Sequence, residues 1–217
     1  QLQFKDNSTS DTRSFRVILG EQRVLQKTSV FVVENFLTIL DSWKYTHDWQ
    51  VEILSLYTSQ NVDITLEYWD NEGVKSGPST IRTISTLSKV VEINVSPGVL
   101  FDFPENILKY TIRAGNRYQT YFIKNHDRIG EHEIIFRNAF GCRESFVATG
   151  LVERENEYEN VTGYVRDMLF RFRTKETKKF EANTGLLLNE QANWVEDMMV
   201  SNELFLKLNS DLIPITI

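Results

Sequence analysis

The chain has 217 residues, 41% hydrophobic and 25% charged, with a formal net charge of −6. That balance belongs to a globular protein with enough apolar residues for a core, and its dispersed basic residues exclude the clustered basic face of a nucleic-acid-binding protein. No run of about 18 apolar residues is present to span a membrane, and the single cysteine, Cys142, cannot staple a disulfide scaffold and suits folding in a reducing compartment. The opening QLQFKDNSTSDTRS is polar after Phe4 and has no apolar signal-peptide core.

Alternation dominates the first half. WQVEILSLY (49–57) and VDITLEYW (62–69) each alternate with period two, which predicts strands with one buried face. The polar TSQN (58–61) between them reads as a hairpin loop, and DNEG (70–73) as a turn in which Gly73 takes positive φ. KVVEINV (89–95), KYTIRA (109–114) and RYQTYFI (117–123) are further strands, the last two joined by a short AGN hairpin turn at 114–116. HEIIFRN (132–138), SFVATGLVERE (145–155) and YVRDMLFRFRT (164–174) continue the series. The acidic ERENEYENVTG (153–163) reads as a solvated loop.

One segment changes period. NEQANWVEDMMVS (189–201) spaces Trp194, Val195, Met198 and Met199 as one helix face, with Asn189 as the expected N-cap and Glu190 at the positive end of the dipole. NTG (183–185) stops the strand before it, ELFLKL (203–208) resumes as a strand, and LIPITI closes the chain. Pro214 lacks an amide donor, which predicts an edge strand there. The expected fold is therefore mainly β: antiparallel β-sandwich domains with one C-terminal helix, about 189–201, packed on a sheet. The proline-bearing VSPGVLFDFPENILK (95–109) places a domain boundary between residues 1–103, an N-terminal sandwich, and 104–217, a β-rich domain carrying the helix.

Residues that carry chemistry are few. Cys142 lies in FRNAFGCRESF between Gly141 and Arg143, where a thiol beside a cation has the look of a nucleophile. No protease signature surrounds it and none of His47, His126 or His132 is tied to it by spacing, so a small core residue at a glycine bend is the favoured reading. On that reading Phe136, Phe140 and Phe146 face the core, while Arg143 and Glu144 are surface residues open to a partner. NHDRIGEHE (125–133) groups His126, Asp127, Glu131, His132 and Glu133, yet fits neither HExxH nor a closed zinc spacing. No phosphate loop, dinucleotide motif or GxSxG occurs, so no cofactor, metal or catalytic residue is expected. Trp43 and Trp69 are the aromatic residues best placed for surface contacts, since Trp49 and Tyr57 alternate with apolar residues and belong with the core.

The C-terminal third, KKFEANTGLLLNEQANWVEDMMVSNELFLKLNSDLIPITI, resembles structural proteins of Bacteroidetes phages and prophages through Asn183, Thr184, Gly185, Trp194, Ser201 and Pro214. The stretch IIFRNAFGCRESFVATG is similar to the same proteins at Phe136, Asn138, Phe140, Gly141, Glu144, Phe146 and Gly150. The likeness spans residues 130–217. It implies a non-enzymatic, tail-associated virion protein of β-sandwich construction, assembled in the bacterial cytoplasm, with other virion subunits and further copies of itself as partners. Two other classes are weighed against it. One is a secreted or surface β-sandwich module of a gut bacterium that stacks glycans on Trp43 and Trp69. The other is a hydrolase using Cys142 or the NHDRIGEHE loop.

Overall fold

The computed structural model describes residues 2–4, 13–15, 29–40, 42–85, 89–124, 132–149, 152–184, 187–209 and 211–216. Strands β1 (Leu2–Phe4) and β2 (Arg13–Phe15) pair with each other, and a short helix α1 (Ser29–Glu34) follows. Next come β3 (Trp43–His47), β4 (Ile53–Thr58), β5 (Val62–Asp70), β6 (Lys75–Ile84) and β7 (Lys89–Asn94). A one-turn helix α2 (Pro97–Leu100) leads to β8 (Ile107–Ala114) and β9 (Arg117–Lys124). The remainder is β10 (His132–Arg137), β11 (Arg143–Ala148), β12 (Val152–Val165), β13 (Met168–Ala182), α3 (Asn189–Met199), β14 (Leu204–Leu208) and β15 (Asp211–Pro214).

The fold is mainly β, as the alternation predicts. A five-stranded sheet of order β3-β9-β8-β5-β6 faces the two-stranded sheet β4-β7. Alternate residues from both layers fill the space between: Leu54 and Leu56 from β4, Ile64 and Leu66 from β5, Tyr110 and Ile112 from β8, Tyr121 from β9. Tyr110 stacks on Tyr121 with ring centroids 4.8 Å apart, and its hydroxyl donates across the core to the Val95 carbonyl at 2.8 Å. A buried phenol needs such an acceptor, so this bond fixes the spacing of the layers. The sheet is antiparallel except at β3, which runs parallel to β9.

Three expectations change here. TSQN is not a hairpin loop: β4 pairs with β7, and β5 pairs with β6 and β8, so residues 58–61 cross from one layer to the other. Equal alternation in two neighbouring runs cannot distinguish partners in one sheet from partners across a core. The boundary expected between residues 103 and 104 runs through a single sheet, because β5 is laddered to β8 from Ile64↔Ala114 to Asp70↔Ile107 and both contribute to one core. Trp49 and Tyr57 are only half-buried, and the apolar residues of that run that are buried are Leu54 and Leu56. The DNEG and AGN turns stand where expected, with Gly73 at φ 81 and Gly115 at φ 62.

The second core lies between α3 and the four-stranded sheet β11-β10-β14-β15. Trp194 and Met198 of the helix pack on Ile134, Phe136, Phe146, Leu204 and Leu206, while Met199 is exposed. Burial of two such side chains and their sheet partners, at roughly 1.5–3 kcal/mol per large apolar group, is what holds an 11-residue helix that would be marginal alone. Its N-cap is Leu188, one residue before the expected Asn189. Leucine has no side-chain acceptor. The end is closed instead by the Gln191 side chain, which accepts the Leu188 amide at 3.4 Å, and by the Leu188 carbonyl, which accepts the Gln191 and Ala192 amides. β15 forms one edge of this sheet, where Pro214 is tolerated.

Candidate functional site

The residues around Cys142 form a turn built on Asn138. The Asn138 side-chain oxygen accepts the amides of Phe140 and Cys142, at 3.0 and 2.9 Å, and Gly141 adopts φ 76 to close the bend. Cys142 itself is buried with Leu37 and Phe140, and burial pushes its thiol up to about 11. The neutral thiol, a poor nucleophile, is the form this pocket favours. Phe136, Phe140 and Phe146 face inward as expected.

Arg143 and Glu144 part company. Arg143 is exposed and paired with Glu92 at 2.6 Å, and that guanidinium holds the Glu92 carboxyl below its usual range. Glu144, expected on the surface, is buried. It shares strand parity with Phe146 and stands opposite Phe136, so the pleat turns it under α3. There it accepts hydrogen bonds from the Trp194 indole N–H and the Asn138 amide. Burial raises its pKa.

Glu144 belongs to a buried polar seam between the two cores. Lys44 of β3 reaches inward to Glu52 at 2.8 Å, donates to the Ser145 carbonyl at 3.0 Å, and sits 4.9 Å from the centre of the Trp194 ring. Gln50 donates to Ser145 Oγ at 2.9 Å, and Glu133 accepts both the Val51 amide and the Lys207 ammonium. Burial pushes the Glu52 carboxyl up to about 7, against the opposing pull of Lys44. Beside Lys44, Glu52 and Glu144 lies a cavity of about 20 Å3, room for a single water and no substrate. The seam joins β3, the segment before β4, β10, β11 and α3, and its role in the fold is cohesion.

The two tryptophans lie half-buried on the five-stranded sheet's other side. Trp43 meets Tyr45 and Phe122 edge to face, with centroids 5.6 and 5.9 Å apart. The Trp69 ring carries the Lys75 and Lys109 ammonium groups, at 5.2 and 4.4 Å from its centre. A sugar stacking on Trp69 would have to displace those cations. The structure does not bring Trp43 and Trp69 together with Arg143 into one site.

Arg143 instead lines a groove of about 450 Å3 between the outer face of β10–β14–β15 and residues 51–53. Its apolar floor is Val51, Ile53, Ile135, Phe205 and Leu212, and an Arg137–Glu203 pair at 2.9 Å closes one rim. Most of the NHDRIGEHE group, including His126, Asp127 and Glu131, lies outside the described residues. Among the described residues no cluster of three or more His, Cys, Asp or Glu side chains is arranged to hold a metal ion. No helix among them is long and apolar enough to cross a membrane.

The most exposed feature is one that composition disguised. The acidic stretch 153–163 is not a loop but most of β12, and YVRDMLFRFRT is not one strand but a turn flanked by two. Arg166 and Asp167, at φ 50 and 63, make the tight turn, the two positive φ values that match the twist of a hairpin. Among the described residues β12 and β13 pair only with each other, over 14 and 15 residues, an arm about 45 Å long at ~3.3 Å per residue. Every residue from 155 to 179 is exposed apart from Gly163, which is half-buried beneath the Phe172 ring. A Cβ at that glycine would stand 2.6 Å from the ring. The shaft is charged, with Glu157 and Lys179 paired at 2.8 Å, whereas the tip exposes Tyr164, Met168, Leu169, Phe170 and Phe172.

Comparison with known protein families, with curated proteins and with solved structures finds no match.

Proposed function

We propose that this chain is a non-enzymatic structural subunit of a phage or prophage particle, tail-associated, which acts by assembly with neighbouring subunits. The observation that carries the reading is the β12–β13 arm. A two-stranded ribbon standing by itself in water is marginal, because it buries little and leaves both edges unpaired. This one also spends its largest apolar side chains on an exposed tip. Such an arm is stabilised when another polypeptide covers it. The resemblance of residues 130–217 to virion proteins supplies the setting, and the inert environment of Cys142 removes the motive for a thiol hydrolase.

The test is co-purification with particles. Particles would be isolated from a host carrying the gene and from one in which residues 153–181 are replaced by a short turn. The full chain is expected in the particles at stoichiometric level and the arm-deleted chain is expected to be lost from them. Particles that lack the full chain, or that retain the arm-deleted chain undiminished, overturn the proposal.

A further inference from the structure

The two edges of the arm differ in charge. β12 presents Glu155, Glu157 and Glu159 at alternate positions, and β13 presents Lys175, Lys178 and Lys179 along the corresponding stretch. Within the hairpin the register sets Glu155 opposite Lys179 and Glu159 opposite Lys175, on one face. Among the described residues neither edge is paired with any other strand. Extended backbone groups on both edges therefore face solvent, with mainly acidic side chains along β12 and, Glu176 and Glu181 apart, basic ones along β13.

We propose that the arms of successive copies of this chain pair edge to edge, β12 of one against β13 of the next, and so close a ring. This rests on the assembly reading and specifies its partner and its symmetry. When two arms stand side by side in the same orientation, β13 of the first runs antiparallel to β12 of the second, as a sheet requires. At equal height Lys175 of one copy comes level with Glu159 of the next, and Lys179 with Glu155. Glu155 and Glu159 then each lie between lysines on both sides, with Thr177 flanking Glu157, and this Glu/Lys alternation continues from arm to arm.

The alternative contacts between two copies lack this match. Joining two β12 edges about a two-fold axis through Glu157 puts Glu155 opposite Glu159 and Glu157 opposite its own copy. Joining two β13 edges about Thr177 sets Lys175 against Lys179, and the Glu176–Lys178 contacts formed beside them only offset that repulsion. Like charges directly opposite across strands are destabilising. The self-complementary dimer is therefore disfavoured, and the surviving contact is head-to-tail, which closes into a ring when the rotation permits. Arms at one height also gather their tips, so that Tyr164, Leu169 and Phe172 of neighbouring copies leave water together.

The experiment uses the full chain and a charge-swapped arm in which Glu155, Glu157 and Glu159 become Lys and Lys175, Lys178 and Lys179 become Glu. The swap keeps opposite charges across the hairpin, so each arm remains internally matched. Both chains are expected to form oligomers of the same size, larger than dimers, by light scattering. When isotopically distinguished chains are dissociated together, reassembled and weighed by native mass spectrometry, they are expected to sort into separate oligomers, since the mixed contact sets like edges together. Random mixing, preferential mixing, or a monomeric wild-type chain each overturns the proposal. A second variant with Lys175, Lys178 and Lys179 changed to Gln adds no new pair of like charges directly opposite each other within the hairpin. It is expected to weaken association roughly tenfold or more and to flatten its salt dependence. Unchanged association and salt response overturn the charge-matched contact. Loss of the arm-deleted chain from particles together with random mixing of the swapped chain would retain the assembly reading and reject the ring contact.

Discussion

Replacing Lys44 by methionine tests what the buried seam contributes. Lys44 and Glu52 lie 2.8 Å apart with side chains only 5% and 2% exposed. At an effective dielectric of ~20 opposite charges at that distance attract by about 6 kcal/mol, offset by the several kcal/mol each ion loses on leaving water. Removing one partner leaves the other charged and buried, at a cost of about 3–5 kcal/mol. That cost is pH-dependent. Burial holds Glu52 at about 7, above its ordinary 4.5, so the fold favours the neutral acid. Its contribution is complete below the unfolded value and is lost as pH rises through 7, a swing of about 3 kcal/mol. Methionine removes the ammonium that pulls the value down, so in the variant Glu52 titrates higher still and stability continues to fall above neutrality. Urea unfolding followed by tryptophan fluorescence should place the variant within about 1 kcal/mol of wild type near pH ~5, and about 2 kcal/mol further below it near pH ~8.5, because over that range only the variant's fold still holds the proton. The pair variant Lys44→Met with Glu52→Leu should recover most of that loss. An equal loss at both pH values, or none at the higher one, would refute the reasoning.

Three further outcomes test the Cys142 corner. A thiol held at about 11 and buried should react with a disulfide reagent near pH ~8 about a hundredfold more slowly in the folded chain than in urea; equal rates would refute the core assignment. Cys142→Ser should cost about 1–3 kcal/mol from a hydroxyl placed among Leu37 and Phe140, and should leave assembly intact. Gly141→Val should cost about 1–3 kcal/mol or more, because φ 76 forces a β-branched residue into the left-handed region. An unchanged melting temperature for that variant would show that the bend tolerates a side chain.

Local periodicity decided a good deal. Alternation at 62–69, 109–114 and 117–123 was enough to give strands, their turns and their buried faces, and the helical spacing of Trp194 and Met198 gave α3. Two features were present in the same pattern and misread through composition. Glu144 has the parity of Phe146, so period two alone turns it inward. Glu153, Glu155, Glu157 and Glu159 alternate as a strand does, but their charge suggests a loop. Charge reports the solvent, and spacing reports the backbone.

The sequence by itself determined the mainly β class, the C-terminal helix, the edge position of Pro214 and the core place of Cys142, because each rests on interactions a few residues apart. Only the tertiary structure decided which strands are neighbours: β4 with β7 rather than β5, and β3 parallel to β9. Lys44 and Glu52 are paired within a seam that ties them to Ser145, about a hundred residues further along the chain, and the arm stands free because none of the described elements pairs with its edges. Pairing across such separations depends on which layers bury each other, and identical alternation is compatible with several arrangements until the packing selects one.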